Sequence, residues 1–175
     1  MIYIIEGPHG SGKSYLFEAI RKAREEPCLF LTNSGLFKTY EQIEGQVDWL
    51  NSAPDGLTIF VDSHPLMSES IYGALMRGKS LIPTAKAHKV KPIGQATTAF
   101  IYCRPPDDVV RKNIFESLEH QVDGSQNKVP EILELYDQIF RAVSKKSLVL
   151  RYDYTKVRTK TFIAELFKGK SHLNG

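Results

Sequence analysis

The sequence of 175 residues has few cysteines, and their positions exclude two classes of small protein. Its two cysteines, Cys28 and Cys103, stand far apart, and neither has another cysteine or a histidine at metal-ligand spacing. A disulfide scaffold and a cysteine-based zinc site are therefore not expected. Each cysteine lies in an apolar run, so we expect both to be buried thiols in strands, as suits a reducing compartment.

Long apolar runs and long basic runs are also lacking. No apolar stretch approaches the roughly 18 residues that span a membrane, and the first residues lack the regions of a signal peptide. We therefore expect a cytoplasmic protein with no membrane partner. The formal net charge is only +3 and basic residues are mixed with acidic ones, so a strong nucleic-acid-binding signature is missing. With 42% apolar residues, the chain is expected to form one domain, residues 1–175.

Short apolar runs alternate with longer segments of helical spacing, which is the pattern of a parallel sheet with crossover helices. Five nearly continuous apolar runs predict strands buried on both faces. They are Ile2 to Ile5, Cys28 to Leu31, Leu57 to Val61, Ala99 to Cys103 and Leu148 to Arg151. The predicted helices are about Lys13 to Glu25, Lys38 to Asn51, Met67 to Met76, Asp107 to Glu119, Pro130 to Ser144 and Thr155 to Phe167. The sequence thus predicts a three-layer α/β fold, with a five-stranded parallel sheet flanked by helices.

Two segments fit neither pattern, Arg77 to Thr98 and Gln121 to Val129, and both are polar or rich in Gly, Pro and Lys. Loops of this length in a compact domain are usually functional or mobile. We expect lid and acceptor loops at about residues 77–98 and 104–129.

A phosphate-binding motif follows the first predicted strand and opens the first predicted helix. Residues 7–14 read GPHGSGKS and match the G-x-x-x-x-G-K-[ST] spacing of a P-loop. The glycines let successive amides face one point, the helix adds its own amides and dipole, and Lys13 adds a charge. Ser14 supplies a hydroxyl for Mg²⁺, so we expect a P-loop NTPase fold that binds ATP and Mg²⁺. The expected nucleotide contacts are Gly7, Pro8, His9, Gly10, Ser11, Gly12, Lys13, Ser14 and Tyr15.

A carboxylate follows the third predicted strand at Asp62, where the ligand crevice of such a sheet lies. We expect Asp62 to act with Ser14 in holding Mg²⁺ and its water shell. A GTPase is not expected, because Asp62 is followed by Ser-His-Pro where a GTPase has x-x-Gly. In addition, the Asn127-Lys128 pair is not followed by the aspartate of a guanine-binding motif.

These residues resemble the thymidylate kinases and related deoxynucleoside kinases, including small phage-encoded members. The similar segments are Glu6 to Ser14, Asp62 to Gly73 and Tyr102 to Pro106, and as an order of elements the similarity covers most of residues 1–155. One departure concerns the arginine that follows the aspartate in that family, because Ser63 stands there in this sequence. A cation that the family places between donor and acceptor phosphates is therefore missing at this position, and whether another arginine replaces it stays open.

The resemblance implies a lid helix whose arginines neutralise the transferring phosphoryl group. Arg104 and Arg111 are the candidates for this catalytic role, and Arg104 also for contact with the nucleotide. Arg77 is a further candidate on the substrate side. The alternative for each is a solvated surface position.

The resemblance also implies contacts to the acceptor and to the donor base. Ser68 and Tyr72 are four residues apart, hence on one helix face, and with His64 they are candidates for binding the acceptor. Asp153 lies in the loop that passes the adenine in this family. Core packing for Tyr72, a structural role for His64 and helix capping by Asp153 stay open.

Three functions remain as hypotheses. The leading one is an ATP-dependent deoxynucleoside monophosphate kinase similar to thymidylate kinase. The second is a P-loop kinase that phosphorylates a hydroxyl on a nucleoside or on a modified base in DNA, which makes nucleic acid a candidate substrate. Ser63 and the basic run Lys86 to Lys91 motivate it. The third is a non-catalytic nucleotide-binding module. Apolar helix faces would serve a core or a homodimer equally.

Overall fold

The computed structural model describes residues 1–33, 37–83, 98–116 and 125–168. Its centre is a sheet of five parallel strands in the order β2-β3-β1-β4-β5. The strands are β1 (Ile2–Glu6), β2 (Leu29–Thr32), β3 (Ile59–Asp62), β4 (Thr98–Cys103) and β5 (Leu148–Tyr152). The predicted five-stranded parallel sheet is confirmed, and each strand lies within two residues of its predicted bounds.

Helices cover both faces of this sheet. They are α1 (Lys13–Ala23), α2 (Tyr40–Asn51), α3 (residues 65–77), α4 (Asp107–Glu116), α5 (Val129–Val143) and α6 (Thr159–Lys168). The hydrophobic core on one face includes residues of α1 and α6, and the core on the other face includes residues of α3 and α5. The three predicted layers are therefore present.

Apolar residues at helical spacing explain how α5 covers the sheet. Its buried side chains recur at intervals of three or four residues and include Ile132, Tyr136 and Phe140. Phe140 stacks on Tyr102 of β4 with ring centroids 4.0 Å apart. Because β4 neighbours the central strand β1, this packing fixes α5 directly beneath the carboxyl ends of both strands.

Several local predictions are wrong at the edges of the sheet. Cys28 lies just before β2 and is only half-buried, whereas Cys103 is buried in β4 as expected. Strands β2 and β5 are partly exposed because each has a strand on one side only. The last helix begins at Thr159, four residues later than predicted, because Asp153 forms a turn with the amide and hydroxyl of Thr155.

Helix α3 departs from regular α-helical geometry in its middle. It consists of Pro65–Ser68, a π-helical turn over Glu69–Gly73, and Ala74–Arg77. Glu69 is buried, and its carboxylate accepts hydrogen bonds from Arg77 and from the Leu81 amide. This carboxylate also lies directly over Gly73, so α3 and the chain that leaves it are held by one buried ion pair.

Much of the two predicted lid and acceptor loops, including the basic run Lys86 to Lys91, lies outside the described residues. Within the described part of the chain, every helix is too short or too polar to cross a membrane.

Gly73→Ala should destabilise the fold. A Cβ at Gly73 would lie 2.3 Å from a carboxylate oxygen of Glu69, which cannot move without losing its bonds to Arg77 and Leu81. We expect a loss of about 1–3 kcal/mol in the free energy of unfolding, measured by urea denaturation. The matched control is Gly45→Ala on the exposed side of α2, where nothing lies within 4 Å. That change should stabilise the protein by about 0.5–1 kcal/mol, and equal stability of the two variants would contradict the contact.

Candidate active site

The predicted phosphate loop connects the central strand β1 to α1. Gly10 and Gly12 adopt left-handed backbone conformations, with φ of 76° and 81°, which a glycine accommodates without strain. Helix α1 then begins at Lys13, and no side chain caps its first amides. Amides at an uncapped helix start are donors for an anion, and the helix dipole adds to their attraction. The loop therefore has the geometry of a phosphate cradle.

Two neighbouring elements press on this loop and fix its shape. The Asn113 side-chain amide of α4 donates to the Gly10 carbonyl at 2.8 Å and to the Tyr154 hydroxyl at 2.7 Å. A Cβ at Gly10 would lie 3.0 Å from the carbonyl oxygen of Val110, and one at Gly12 would lie 3.0 Å from the Tyr154 ring. Sequence reasoning missed Asn113 and Tyr154, because α4 and the turn after β5 meet the loop only in the folded chain.

Asp62 and Ser14 meet at the carboxyl ends of β1 and β3. The Ser14 hydroxyl donates to a carboxylate oxygen of Asp62 at 3.3 Å. The next residue, Ser63, has a φ of 70°, an uncommon value for a residue with a side chain, and Asn33 donates to its carbonyl at 2.6 Å. The structure thus brings the two predicted metal-binding residues together, and Asn33 and Ser63 fix the backbone beside them.

This pair of oxygen ligands fits Mg²⁺. Mg²⁺ in phosphoryl-transfer sites takes one or two protein oxygens and completes its shell with phosphate and water. Among the described residues, no three His, Cys, Asp or Glu side chains are grouped closely enough to hold a metal ion alone. The site would therefore bind the ion together with a polyphosphate.

Glu6, the last residue of β1, is a buried carboxylate directly behind the loop. It accepts hydrogen bonds from the backbone amide of His64 and, at 3.3 Å, from the Tyr136 hydroxyl. Burial raises the pKa of Glu6 to about 7, against the lowering effects of the His64 amide and the Lys13 charge. Glu6 therefore ties together β1, the β3–α3 junction and α5. Its position at a strand end was visible in the sequence, but its burial was not.

Tyr72 and His9 connect α3 to the phosphate loop. The Tyr72 hydroxyl accepts a hydrogen bond from the His9 amide at 2.9 Å, and the two rings lie 4.8 Å apart. Tyr72 is buried, and burial raises its pKa. Ser68, one turn earlier on α3, is half-buried. The loop and the predicted acceptor helix are therefore in direct contact.

His64 has a structural environment. It is buried, and its Nδ1 accepts a hydrogen bond from the Leu66 amide at 3.2 Å. Burial lowers the pKa of His64 to about 4, so the ring is neutral at physiological pH. This environment favours the structural alternative for His64 over a role as proton acceptor.

The three predicted arginines differ in how far they are engaged. Arg104 contacts two carboxylates, at 2.7 Å in Asp107 and 3.0 Å in Asp137, and its side chain is 11% exposed. Arg77 is paired with the buried Glu69. Arg111 is exposed on α4, next to Val110, whose carbonyl oxygen approaches Gly10. Of the three arginines, Arg111 is the one that is exposed.

Two predicted nucleotide contacts remain, Tyr15 and Asp153. The Tyr15 side chain on α1 is 69% exposed. Asp153 is half-buried in the turn that precedes Tyr154, whose ring rests on Gly12. The turn after β5 therefore reaches the loop, although the contact is made by Tyr154.

The sheet order and the phosphate loop together define a P-loop NTPase fold. Among solved structures, the YorR protein of Bacillus subtilis, in complex with phosphorylated GDP, has a TM-score of 0.74 and 14% identity over 98% of this chain and 96% of that one. Deoxyadenosine kinase from M. mycoides with dCMP and dCDP has a TM-score of 0.68 and 12% identity over 98% and 99% of the chains. The structure of that enzyme with dATP has a TM-score of 0.63 and 15% identity over the whole of both chains. No protein-family model and no curated protein matches the sequence.

Replacing Glu6 by Gln should change how stability depends on pH. Between about pH 4.5 and 7 the unfolded chain loses the Glu6 proton while the folded protein keeps it, so wild-type stability falls as pH rises through this window. The difference in unfolding free energy, Glu6→Gln minus wild type, should increase by about 3 kcal/mol from pH 4.5 to 8. Urea denaturation without nucleotide measures it. The exposed Glu165→Gln on α6 is the control, and a pH-independent difference for Glu6→Gln would refute the buried ionisation.

Asn113→Ala and Tyr154→Phe should weaken nucleotide binding through the shape of the loop. Tyr154→Phe removes one hydrogen bond and Asn113→Ala removes two. At about 1 kcal/mol for each bond, we expect the Kd for ATP to rise roughly 5-fold and 5- to 30-fold. Isothermal titration calorimetry measures the change, with the exposed Lys112→Ala on α4 as control. An unchanged ATP affinity in Asn113→Ala would show that Asn113 does not determine the shape of the phosphate loop.

Proposed function

We propose that this protein is an ATP-dependent phosphotransferase that transfers the γ-phosphate to a nucleoside or nucleotide acceptor. The observation that carries the proposal is the preformed phosphate loop with the hydroxyl of Ser14 and the carboxylate of Asp62 3.3 Å apart at its end. Nucleotides in the solved structures of the same fold support it. We further propose that residues 1–175 act as one domain.

Each residue at the loop has a defined role in this proposal. The loop amides and the Lys13 ammonium bind the β- and γ-phosphates, while Ser14 and Asp62 hold Mg²⁺ through oxygen atoms. Mg²⁺ supplies charge neutralisation between the phosphates and orients them for in-line transfer. Asn113 and Tyr154 hold the loop in position before the nucleotide binds, so the loop reorganises little during the reaction.

Transition-state charge needs at least one mobile cation, and Arg111 is the proposed source. Its exposed position on α4 leaves it able to move toward the loop. Arg104 would first have to leave Asp107 and Asp137, and Arg77 would have to leave the buried Glu69. Breaking the pair of Arg77 with the buried Glu69 costs several kcal/mol, and Arg104 would give up contacts with two carboxylates at once. We therefore propose that Arg104 and Arg77 organise their helices.

Two kinds of acceptor group are candidates, a phosphate and a hydroxyl. The resemblance to thymidylate kinases favours the phosphate of a deoxynucleoside monophosphate. The absence of a cation at Ser63 favours a hydroxyl, on a nucleoside or on a modified base in DNA. A third candidate is a module that binds ATP without transferring phosphate, and the experiment below distinguishes it from the two kinases.

Incubation with γ-labelled ATP, Mg²⁺ and a panel of nucleosides, nucleotides and modified DNA tests the proposal. Lys13→Ala should reduce transfer about 100- to 1000-fold, because it removes a cation that would face the phosphates. Asp62→Asn should lower kcat far more than ATP affinity. The exposed Lys22→Ala on α1 is the control, with melting temperatures measured for all variants.

Label transfer to an acceptor that depends on Lys13 and Asp62 supports the proposal. Tight ATP binding without transfer to any acceptor would identify a binding module instead. Transfer at the wild-type rate by Lys13→Ala would overturn the assignment of the loop.

A further inference from the structure

We propose that a cavity between α5 and β5, apart from the phosphate loop, binds a small aromatic anion through Arg141 and Arg151. The ligand is a compound of up to nucleotide size that carries a phosphate or carboxylate group on a flat apolar body. The described residues that line the cavity include neither residues 7–14 nor Asp62. The inference therefore stands apart from the proposed phosphotransferase activity and goes beyond it.

The cavity exists because α5 covers β4 and leaves part of the edge strand β5 open. Phe140 of α5 stacks on Tyr102 of β4 with ring centroids 4.0 Å apart. Alternate side chains of a strand point to the same face, so Val149 and Arg151 of β5 share the face on which α5 packs. Val149 is half-buried and Arg151 is exposed. The space beside α5 has a volume of about 410 Å³, within the range of about 300–1,000 Å³ that is usual for small-molecule sites.

The lining combines apolar surface with two guanidinium groups. The described lining residues are Tyr102, Asp137, Phe140, Arg141, Ser144, Val149 and Arg151. The two aromatic side chains are buried, whereas both arginines are exposed. A ligand therefore meets apolar surface at the base of the cavity and positive charge at its opening. Flat rings suit such a lining, since they pack against aromatic side chains and stack on guanidinium planes.

Both guanidinium groups have hydrogen-bond donors to offer. Nε of Arg141 donates to the carbonyl of Asp137, one turn earlier on α5, at 3.2 Å. The Arg151 guanidinium lies over the Tyr102 ring, 5.8 Å from its centroid, and forms no hydrogen bond or ion pair with another described residue. The planar fork of N–H donors on an arginine matches the oxygens of a carboxylate or a phosphate. These contacts restrict both side chains beforehand, which lowers the entropy lost on binding.

The carboxylate in the described lining is already neutralised. Asp137 accepts hydrogen bonds from Arg104 through both oxygens, at 3.2 and 3.0 Å, and from the Tyr102 hydroxyl at 2.7 Å. Burial alone would raise the pKa of Asp137, but the hydrogen bonds from Arg104 and Tyr102 lower it, so the ion pair persists at neutral pH. Arg104 also pairs with Asp107. With the two cavity arginines, three arginines thus stand against two aspartates, and the excess positive charge favours an anion.

Binding of naphthyl phosphate, naphthoate and neutral naphthol tests the inference. Isothermal titration calorimetry gives the Kd for wild type, Arg141→Gln and Arg151→Gln. The matched control is Arg158→Gln, at an exposed arginine just before α6. All measurements are repeated with Lys13→Ala present, because binding at the phosphate loop is weakened there and the remaining binding belongs to another site. Melting temperatures show whether each variant is folded.

We expect naphthyl phosphate to bind more tightly than naphthoate, since its larger charge is shared between two arginines. Naphthol should bind most weakly. Each cavity substitution should raise the Kd for naphthyl phosphate by about 10-fold or more, as for the loss of a hydrogen bond to a charged group. Arg158→Gln should leave this Kd unchanged.

Chemical modification locates the bound probe independently of affinity. Phenylglyoxal modifies accessible arginines, and mass spectrometry maps the modified positions. We expect modification of Arg141, Arg151 and Arg158 in the free protein. Naphthyl phosphate should protect the two cavity arginines and leave Arg158 reactive.

Several results overturn the inference. They are an affinity that neither cavity substitution changes, equal affinity for naphthol, absence of protection at both cavity arginines, and no binding of either anion at millimolar concentration. Binding that disappears with Lys13→Ala alone would assign the probe to the phosphate loop, which refutes the cavity site and leaves the proposed phosphotransferase intact. Tighter binding of naphthoate that depends on Arg141 and Arg151 would support the site and identify a carboxylate as its ligand group.

Discussion

This protein depends on the close packing of the glycine backbone of the phosphate loop against three other parts of the fold. At Gly7 a side chain would lie 2.4 Å from the carbonyl oxygen of Cys103 in β4. At Gly10 it would press on α4, and at Gly12 on Tyr154. Glycine is required at these positions because neighbouring elements fill the space that side chains would occupy. The fold and the proposed phosphate site therefore depend on the same packing, and damage to either should affect the other.

A second layer of organisation lies beneath the loop, in a buried chain of polar groups. Glu6 bonds to the amide of His64 and to Tyr136, while Tyr72 bonds to the amide of His9. Buried polar groups are costly unless they are paired, and paired groups accept few alternative arrangements. The chain thereby holds β1, α3, α5 and the loop in fixed relation. Such rigidity would suit the proposed phosphoryl transfer, in which catalysis consists mainly of positioning and electrostatics.

The sequence was informative where structure is local. The phosphate loop and the strand that ends at Asp62 could be predicted because spacing and apolar runs determine them within a few residues. Asn113 could not be found this way, since it lies 103 residues from the carbonyl that it binds. The same holds for Arg104, whose partner Asp137 lies 33 residues further along the chain. The packing of whole helices and strands decides which distant residues form hydrogen bonds. The periodicity of apolar residues along the sequence carries no information about that packing.

The π-helical turn in α3 sets the angular relation between its two ends. An α-helix advances about 100° per residue, and a π-turn accommodates one residue more than an α-turn does. In this register Glu69 points inward to Arg77 while Tyr72 reaches the His9 amide. A relative lacking one residue of Glu69–Gly73 would have the flanking segments rotated by roughly that angle, with the tyrosine swung off the loop. The number of residues in this turn thus sets which side chains of α3 face the loop. Insertions or deletions here would change the residues that line the crevice more than most substitutions would.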